Sequence, residues 1–183
     1  QALLTRNRQG ESSLGDWMTD CERAWAGADL AIQNGGGIRA DMAEGPVTLR
    51  TIFNIMPFDN YLVRLDMDGG LVRQVLDHGV DKTKGMIQQS GATFDYDRDA
   101  AAGRRLSGLL IGGEVADPMT SYKVVTVDFL VKGGDGYSPF SRAVKTDRTR
   151  VLLRNVLADC ARKERLIKAP QGGRMRAAYA ISR

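Results

Sequence analysis

At 183 residues, 43% hydrophobic and 26% charged, the chain is long enough for one domain with a proper core, and no apolar stretch is long enough to span a membrane. The net charge of +4 comes from scattered basic residues whose small clusters, Arg104 with Arg105 and Arg162 with Lys163, lack interleaved aromatics; this argues against a nucleic-acid stripe and favours, mildly, an anionic small ligand. A single histidine, His78, is too few for a two-metal hydrolase centre, which draws several His and Asp ligands, and leaves a Ser-His-Asp triad only one candidate base.

The chain opens on Gln1 without a methionine, and Leu3-Leu4-Thr5 reads as the tail of a strand, so a fragment or processed product is expected. Ser12 or Ser13 caps an amphipathic helix carrying Leu14, Trp17, Met18, Cys21, Ala24 and Trp25, which Gly27 ends. A short apolar strand at 29–33 runs into Asn34-Gly35-Gly36-Gly37-Ile38-Arg39. Residues 46–49 read as extended, and 49–56 suit a short helix stopped by Pro57. A strand at 61–67, a turn at Asp68-Gly69-Gly70 and a helix at 70–80 follow, with His78 near the helix end as a favourable C-terminal charge or a surface residue.

Strands are predicted at 86–89, 92–96 and 106–111, with Gly112-Gly113 as a hairpin turn, and a long apolar strand at 122–131 ends in Gly133-Gly134-Asp135-Gly136. The last strong helix spans 148–165. Helices early and late with strands clustered between them predict an α+β domain, a mixed β-sheet flanked by helices. A doubly wound parallel sheet fits poorly, and Gly35-Gly36-Gly37 is not a dinucleotide fingerprint. Cys21 and Cys160 fall in predicted helices without metal-type spacing; two buried thiols or one disulfide both fit.

Four segments carry chemistry. In Phe129 to Tyr137 an aromatic precedes a glycine-rich turn whose Asp135 offers two acceptor oxygens to paired hydroxyls, while the ring offers a stacking face to a planar base. The glycine run at Asn34 lets backbone amides approach ligand oxygens, and Arg39 adds a planar fork for phosphate or ribose. Pro57 presents Phe58 on a loop two residues before Asn60, an amide able to read a base edge. Arg8 stands just before the capped helix N-terminus, where an anion is favoured. Each segment alone also fits a plain structural role: a hairpin loop, a flexible loop, a core plug and a surface arginine.

Together these motifs resemble the C-terminal domain of the 5′-nucleotidase / UDP-sugar hydrolase family. The similarity covers nearly the whole chain, in family order: RxxESxLG from Arg8, NGGGIR from Asn34, Pro57-Phe58, Gln88-Gln89-Ser90-Gly91, FLxxGGDGY from Phe129, and a closing Gly173-Arg174-Met175. The resemblance implies that Phe58 and Phe129 sandwich a nucleobase and that Asp135 holds ribose hydroxyls. It also implies that Arg8, Arg39 and Asn34 contact ribose or phosphate oxygens, that Asn60 touches the base edge, and that Gly36, Gly37, Gly91 and Gly134 give close backbone contacts. Lys132 departs from the small polar residue expected before the glycine pair.

By the same resemblance, no catalytic residue, metal or cofactor is expected on this chain. Two divalent metal ions are expected on an N-terminal metallophosphoesterase domain lying outside residues 1–183, to which the nucleotide would be presented. Nucleoside 5′-phosphates, UDP-sugars and cyclic nucleotides are all compatible substrates, and the stacking phenylalanines argue against a sulfur substrate. A periplasmic, cell-surface or secreted location is implied. The alternative reading is a non-catalytic nucleotide-binding or interaction module that acts without a catalytic partner domain.

Overall fold

The computed structural model describes residues 3–81 and 85–178. The chain folds as α1 (Ser13–Ala26), β1 (Leu30–Asn34), α2 (Leu49–Ile55), β2 (Tyr61–Asp68), α3 (Gly69–Gly79), β3 (Ile87–Ser90), β4 (Ala92–Tyr96), β5 (Leu106–Ile111), β6 (Glu114–Val115), β7 (Ser121–Val127), α4 (Asp128–Val131), β8 (Lys145–Leu152), α5 (Leu153–Glu164) and β9 (Met175–Ala177). The expected α+β architecture is present.

Five strands form one sheet in the order β3-β1-β7-β2-β8, and four form a second in the order β6-β5-β4-β9. In the first sheet β1 and β7 run parallel while the other neighbours are antiparallel. The C-terminal ends of β1, β7 and β8 and the N-terminal ends of β2 and β3 therefore share one edge. The glycine turn after β1, the α4 turn after β7 and the loop before β2 all lie along that edge, whereas Gly91, after β3, lies at the opposite end.

The elements follow from their local chemistry. Ser12 caps α1 by accepting from the Gly15 amide, and Gly27 ends it in the left-handed conformation at φ 58°. Asp68 caps α3 through the Leu71 amide. One face of α3 buries Val72, Val75 and Leu76, and α1 buries Leu14, Trp17 and Met18 against β1, β3 and β7. Strand β1 is buried at all five positions, including its closing polar pair, Gln33 and Asn34. Gly112 and Gly113, at φ 61° and 92°, turn β5 into β6 as expected of a two-residue hairpin.

Two expectations need correction. The strand predicted over 122–131 stops at Val127, and residues Asp128–Val131 form a single helical turn, α4, so Phe129 sits on a helix beyond the strand. The helix predicted from 148 starts only at Leu153, because 145–152 pairs as an edge strand with β2. Its charged sequence, Lys-Thr-Asp-Arg-Thr-Arg, carries no clear strand alternation; pairing with β2 overrides local preference. The two cysteines, one on α1 and one on α5, form a disulfide.

Candidate functional site

A cavity of about 310 Å³ lies at the shared sheet edge, lined by Arg8, Asn34, Gly36, Gly37, Arg39, Phe58, Asn60, Phe129 and Asp135. Nine of the eleven residues singled out from sequence thus converge, although they come from four separate segments of the chain. A larger groove of about 370 Å³ between α2 and α5 presents neither a carboxylate nor an aromatic ring. Its chemistry does not match a nucleoside.

Glycine-rich geometry builds the floor. Gly35 to Gly37 coil into one 3₁₀ turn directly after β1. A Cβ on Gly37 would lie 2.9 Å from Gln33 Nε2 and 3.0 Å from Asn34 Oδ1, so the glycine makes room for a side-chain relay. In that relay Gln33 Nε2 donates to Asn34 Oδ1 at 2.9 Å, and Asn34 Nδ2 donates to Asp135 Oδ2 at 2.6 Å. The relay sets the orientation of the Asn34 amide: its oxygen faces Gln33 and its NH₂ faces the carboxylate. Gln33 was not singled out from sequence. The legible signal was two polar residues closing an otherwise apolar strand.

Two aromatic rings remain in reach of a ligand: Phe58 is 43% exposed and Phe129 41% exposed. Large exposed rings in a concave site are surfaces waiting for a partner. The Arg39 guanidinium lies 5.9 Å from the Phe58 ring centre, and its Nη1 donates to the Gly36 carbonyl at 3.3 Å. Arg154, at the start of α5, donates from Nη1 to the carbonyls of Pro57 at 3.1 Å and Phe58 at 3.0 Å, and pairs with Asp59. Arg154 thereby fixes the loop that presents Phe58. No sequence signal marked it, because its partners lie almost a hundred positions away.

The loop carrying Arg8 is pinned from below by Gln88, which is fully buried. Gln88 Oε1 accepts from the Ser12 amide at 3.0 Å and the Ser12 hydroxyl at 2.7 Å, while Nε2 donates to the Gly10 carbonyl at 3.0 Å. A Cβ on Gly15 would lie 2.1 Å from Gln88 Oε1, which gives the Ser-Ser-Leu-Gly stretch its reason. The Arg8 backbone carbonyl accepts from the Met86 amide at 2.9 Å, and its side chain is exposed toward the cavity.

Gly91 and Gly134 do not line the cavity. Gly91 lies between β3 and β4, at the far end of the sheet; at φ 99°, a Cβ there would meet the Asp29 carbonyl at 1.9 Å. Its close contact is with this chain's own backbone. Gly134 faces the Phe129 ring, where a Cβ would lie 2.5 Å from ring carbons. Lys132 turns back to Asp128 at 2.6 Å, which also accepts from the Tyr61 amide at 3.0 Å. Tyr137, buried beneath the turn, has its hydroxyl held well above the ordinary range by burial and by the Asp135 charge, so it stays neutral.

Among the described residues, one trio of potential metal-ligating side chains lies close together, Cys21, Cys160 and Glu164. Its two sulfurs are joined in the disulfide, so the set does not fit a two-metal phosphoester centre.

The family described as "5'-nucleotidase, C-terminal domain" matches residues 2–142. The chain belongs to this family. Trifunctional nucleotide phosphoesterase protein YfkN of Bacillus subtilis (strain 168) is 33% identical over 149 residues, 74% of this chain and 10% of that protein. Protein UshA of Escherichia coli (strain K12) is 32% identical over 129 residues, 69% of this chain and 23% of that protein. A 5'-nucleotidase precursor from Thermus thermophilus matches in structure with a TM-score of 0.90 at 29% identity, over 96% of this chain and 38% of that one. The chain thus spans only 10% and 23% of the length of these two curated relatives.

Proposed function

We propose that this 5′-nucleotidase C-terminal domain recognises a nucleotide and presents it for hydrolysis by a metallophosphoesterase domain of the same protein. In this reading Phe58 and Phe129 stack on the base, and Asp135, held by Asn34, accepts from the ribose hydroxyls. Arg8 and Arg39 meet ribose or phosphate oxygens, with Gly36 and Gly37 leaving room for close approach. Asn60 touches the base edge. The two divalent metals belong to the partner domain, and this chain supplies binding and orientation.

The observation that carries this reading is the convergence of two exposed phenylalanines, two arginines and a carboxylate in one cavity of about 310 Å³. The volume suits a nucleoside-sized ligand. A periplasmic, cell-surface or secreted location is part of the proposal, supported by the Cys21–Cys160 disulfide, since such bonds persist in oxidising compartments. Nucleoside 5′-phosphates are the substrate class proposed, with UDP-sugars and cyclic nucleotides as the discriminating comparisons.

Calorimetric titration of the chain with adenosine and AMP tests this. Binding is expected for the native sequence, and Phe58→Ala with Phe129→Ala is expected to weaken it by about 100-fold, since base stacking contributes roughly 1–3 kcal/mol per ring. A double variant that binds like the native chain would sink the proposal. Hydrolysis of AMP by residues 1–183 alone with added divalent metal would overturn the division of labour.

A further inference from the structure

We infer that His78 is a positioning residue, whose ring N–H holds the Asp135 backbone and so fixes the turn that offers the Asp135 carboxylate to the ligand. The inference rests on the reading of Asp135 given above, and extends the site by one residue that touches no ligand.

The turn needs such a holder. Asp135 sits at φ 52° and ψ 20°, in the left-handed region that side chains other than glycine seldom enter. Gly133 at φ 87° and Gly136 at φ 82° flank it. A stretch with three glycines samples many backbone states when unsupported, and a strained residue among them persists only if its surroundings over-determine it. Within the turn, the Gly136 amide reaches the Gly133 carbonyl at 3.1 Å and the Tyr137 amide reaches the Gly134 carbonyl at 3.2 Å. These local bonds set a turn but do not set its direction relative to the sheet.

Direction comes from two outside ties, one at each end of Asp135. Asn34 on β1 holds Oδ2 at 2.6 Å, and His78 Nε2 lies 2.9 Å from the backbone carbonyl. A carbonyl only accepts, so Nε2 carries the proton and the bond defines the ring's protonated nitrogen. His78 is half-buried in the last turn of α3, a helix anchored by fully buried Val72, Val75 and Leu76. Its ring meets buried Tyr137 edge-on, centroids 4.6 Å apart at 80°, and Tyr137 stacks in turn on Phe140 at 5.8 Å. A Cβ on Gly136 would lie 3.1 Å from His78 Cε1, so that glycine leaves room for the imidazole. Geometry therefore runs from a rigid helix through one ring to the strained aspartate. Neither a surface role nor a general base accounts for these contacts.

The test compares native chain, His78→Phe and His78→Gln, with His78→Ala as a substitute should the phenylalanine variant fail to fold. Phenylalanine keeps the ring packing without the donor; glutamine restores an N–H at similar reach. Affinities for adenosine and 2′,3′-dideoxyadenosine are measured by calorimetry, and amide hydrogen exchange is followed across 133–137. The native chain is expected to prefer adenosine by about tenfold. In His78→Phe that preference falls to near unity, while dideoxyadenosine binds within about twofold of native and exchange across the turn rises about tenfold. His78→Gln recovers most of both.

Native-like exchange together with an intact hydroxyl preference in His78→Phe would overturn the inference. Native-like exchange alone would also overturn it, even if no nucleoside bound. Faster exchange in His78→Phe, rescued by His78→Gln, in a chain showing no hydroxyl preference at all would support the positioning role and overturn the ribose reading instead.

Discussion

Gly134 contributes by an atom it lacks. A Cβ there would press on the Phe129 ring at 2.5 Å, so the ring can lie over the turn only because position 134 is glycine. Gly134→Ala must push the exposed ring aside, and because the displaced atoms are the far end of an exposed side chain the fold loses only about 0.5 kcal/mol or less while the stacking face moves. Because Phe129 is exposed, we expect the cost in nucleoside affinity rather than in unfolding: calorimetry should show weaker binding with a thermal midpoint within about 2 °C of native. Unchanged affinity would refute the packing argument. This contact was illegible in the sequence for a physical reason. Read as one strand over 122–131, the segment points Phe129 away along a ladder; the helical turn of α4 folds it back over residue 134. Glu22 shows a different residue-scale effect. It is buried on α1 with neither carboxyl oxygen hydrogen-bonded, and burial pushes its carboxyl well above its ordinary 4.5. The folded protein then keeps a proton that the unfolded chain releases. Glu22's contribution to stability is whole below about pH 4.5 and is lost as pH rises toward and through its folded-state value. Urea midpoints at pH 5 and pH 8 should therefore fall less in Glu22→Gln than in the native chain, and Glu22→Met should gain about 1–3 kcal/mol at pH 8. Parallel pH profiles would count against a buried neutral acid.

Locally signalled elements were legible: α1, α3 and β5 with its Gly112-Gly113 turn sit within a residue or two of their expected bounds, because their caps and turn glycines are written locally. The β8–α5 junction was not. Its strand exists through pairing with β2, from Tyr61 opposite Leu152 to Asp66 opposite Lys145, a partner far off in sequence. The error matters, because the true start of α5 places Arg154 in its first turn, beside the loop carrying Phe58. Arg154 grips two carbonyls of that loop and lies 4.8 Å from the Phe53 ring centre on α2, so one side chain ties α5, α2 and the 57–60 loop together. The ion pair with Asp59 adds little, since that carboxylate is 78% exposed and screened. Arg154→Ala should cost about 1–2 kcal/mol in nucleoside affinity through a loosened Phe58, with faster exchange at 58–60. Arg154→Lys should not restore it, lacking the planar fork. Full affinity in Arg154→Ala would show that Phe58 is held by its own packing.

At the scale of the molecule, the mixed sheet explains why loops so distant in sequence meet. Parallel β1 and β7, with β2 antiparallel between β7 and β8, send the glycine turn, the α4 turn and the Phe58 loop to one edge. The motifs announcing these loops were legible in the chain, but their meeting place depends on strand order, which no local pattern carries. The helices flanking that edge are tied by the Cys21–Cys160 disulfide across 139 positions. The bond joins α1, whose N-terminus follows the Arg8 loop, to α5, whose first turn holds the Phe58 loop. Closing so long a loop removes freedom mainly from the unfolded chain, and on a chain-entropy basis contributes about 4–5 kcal/mol. The site itself rests on hydrogen bonds that do not pass through either sulfur. Reduction should therefore lower the urea midpoint substantially, and Cys21→Ser with Cys160→Ser should match the reduced protein and ignore added reductant. Nucleoside affinity below the new midpoint should change less than threefold, because the folded contacts remain. A midpoint unmoved by reduction would place this stability elsewhere. A collapse of affinity in the still-folded reduced protein would mean that the cross-link shapes the site directly, by holding α5 and its Arg154 against α1.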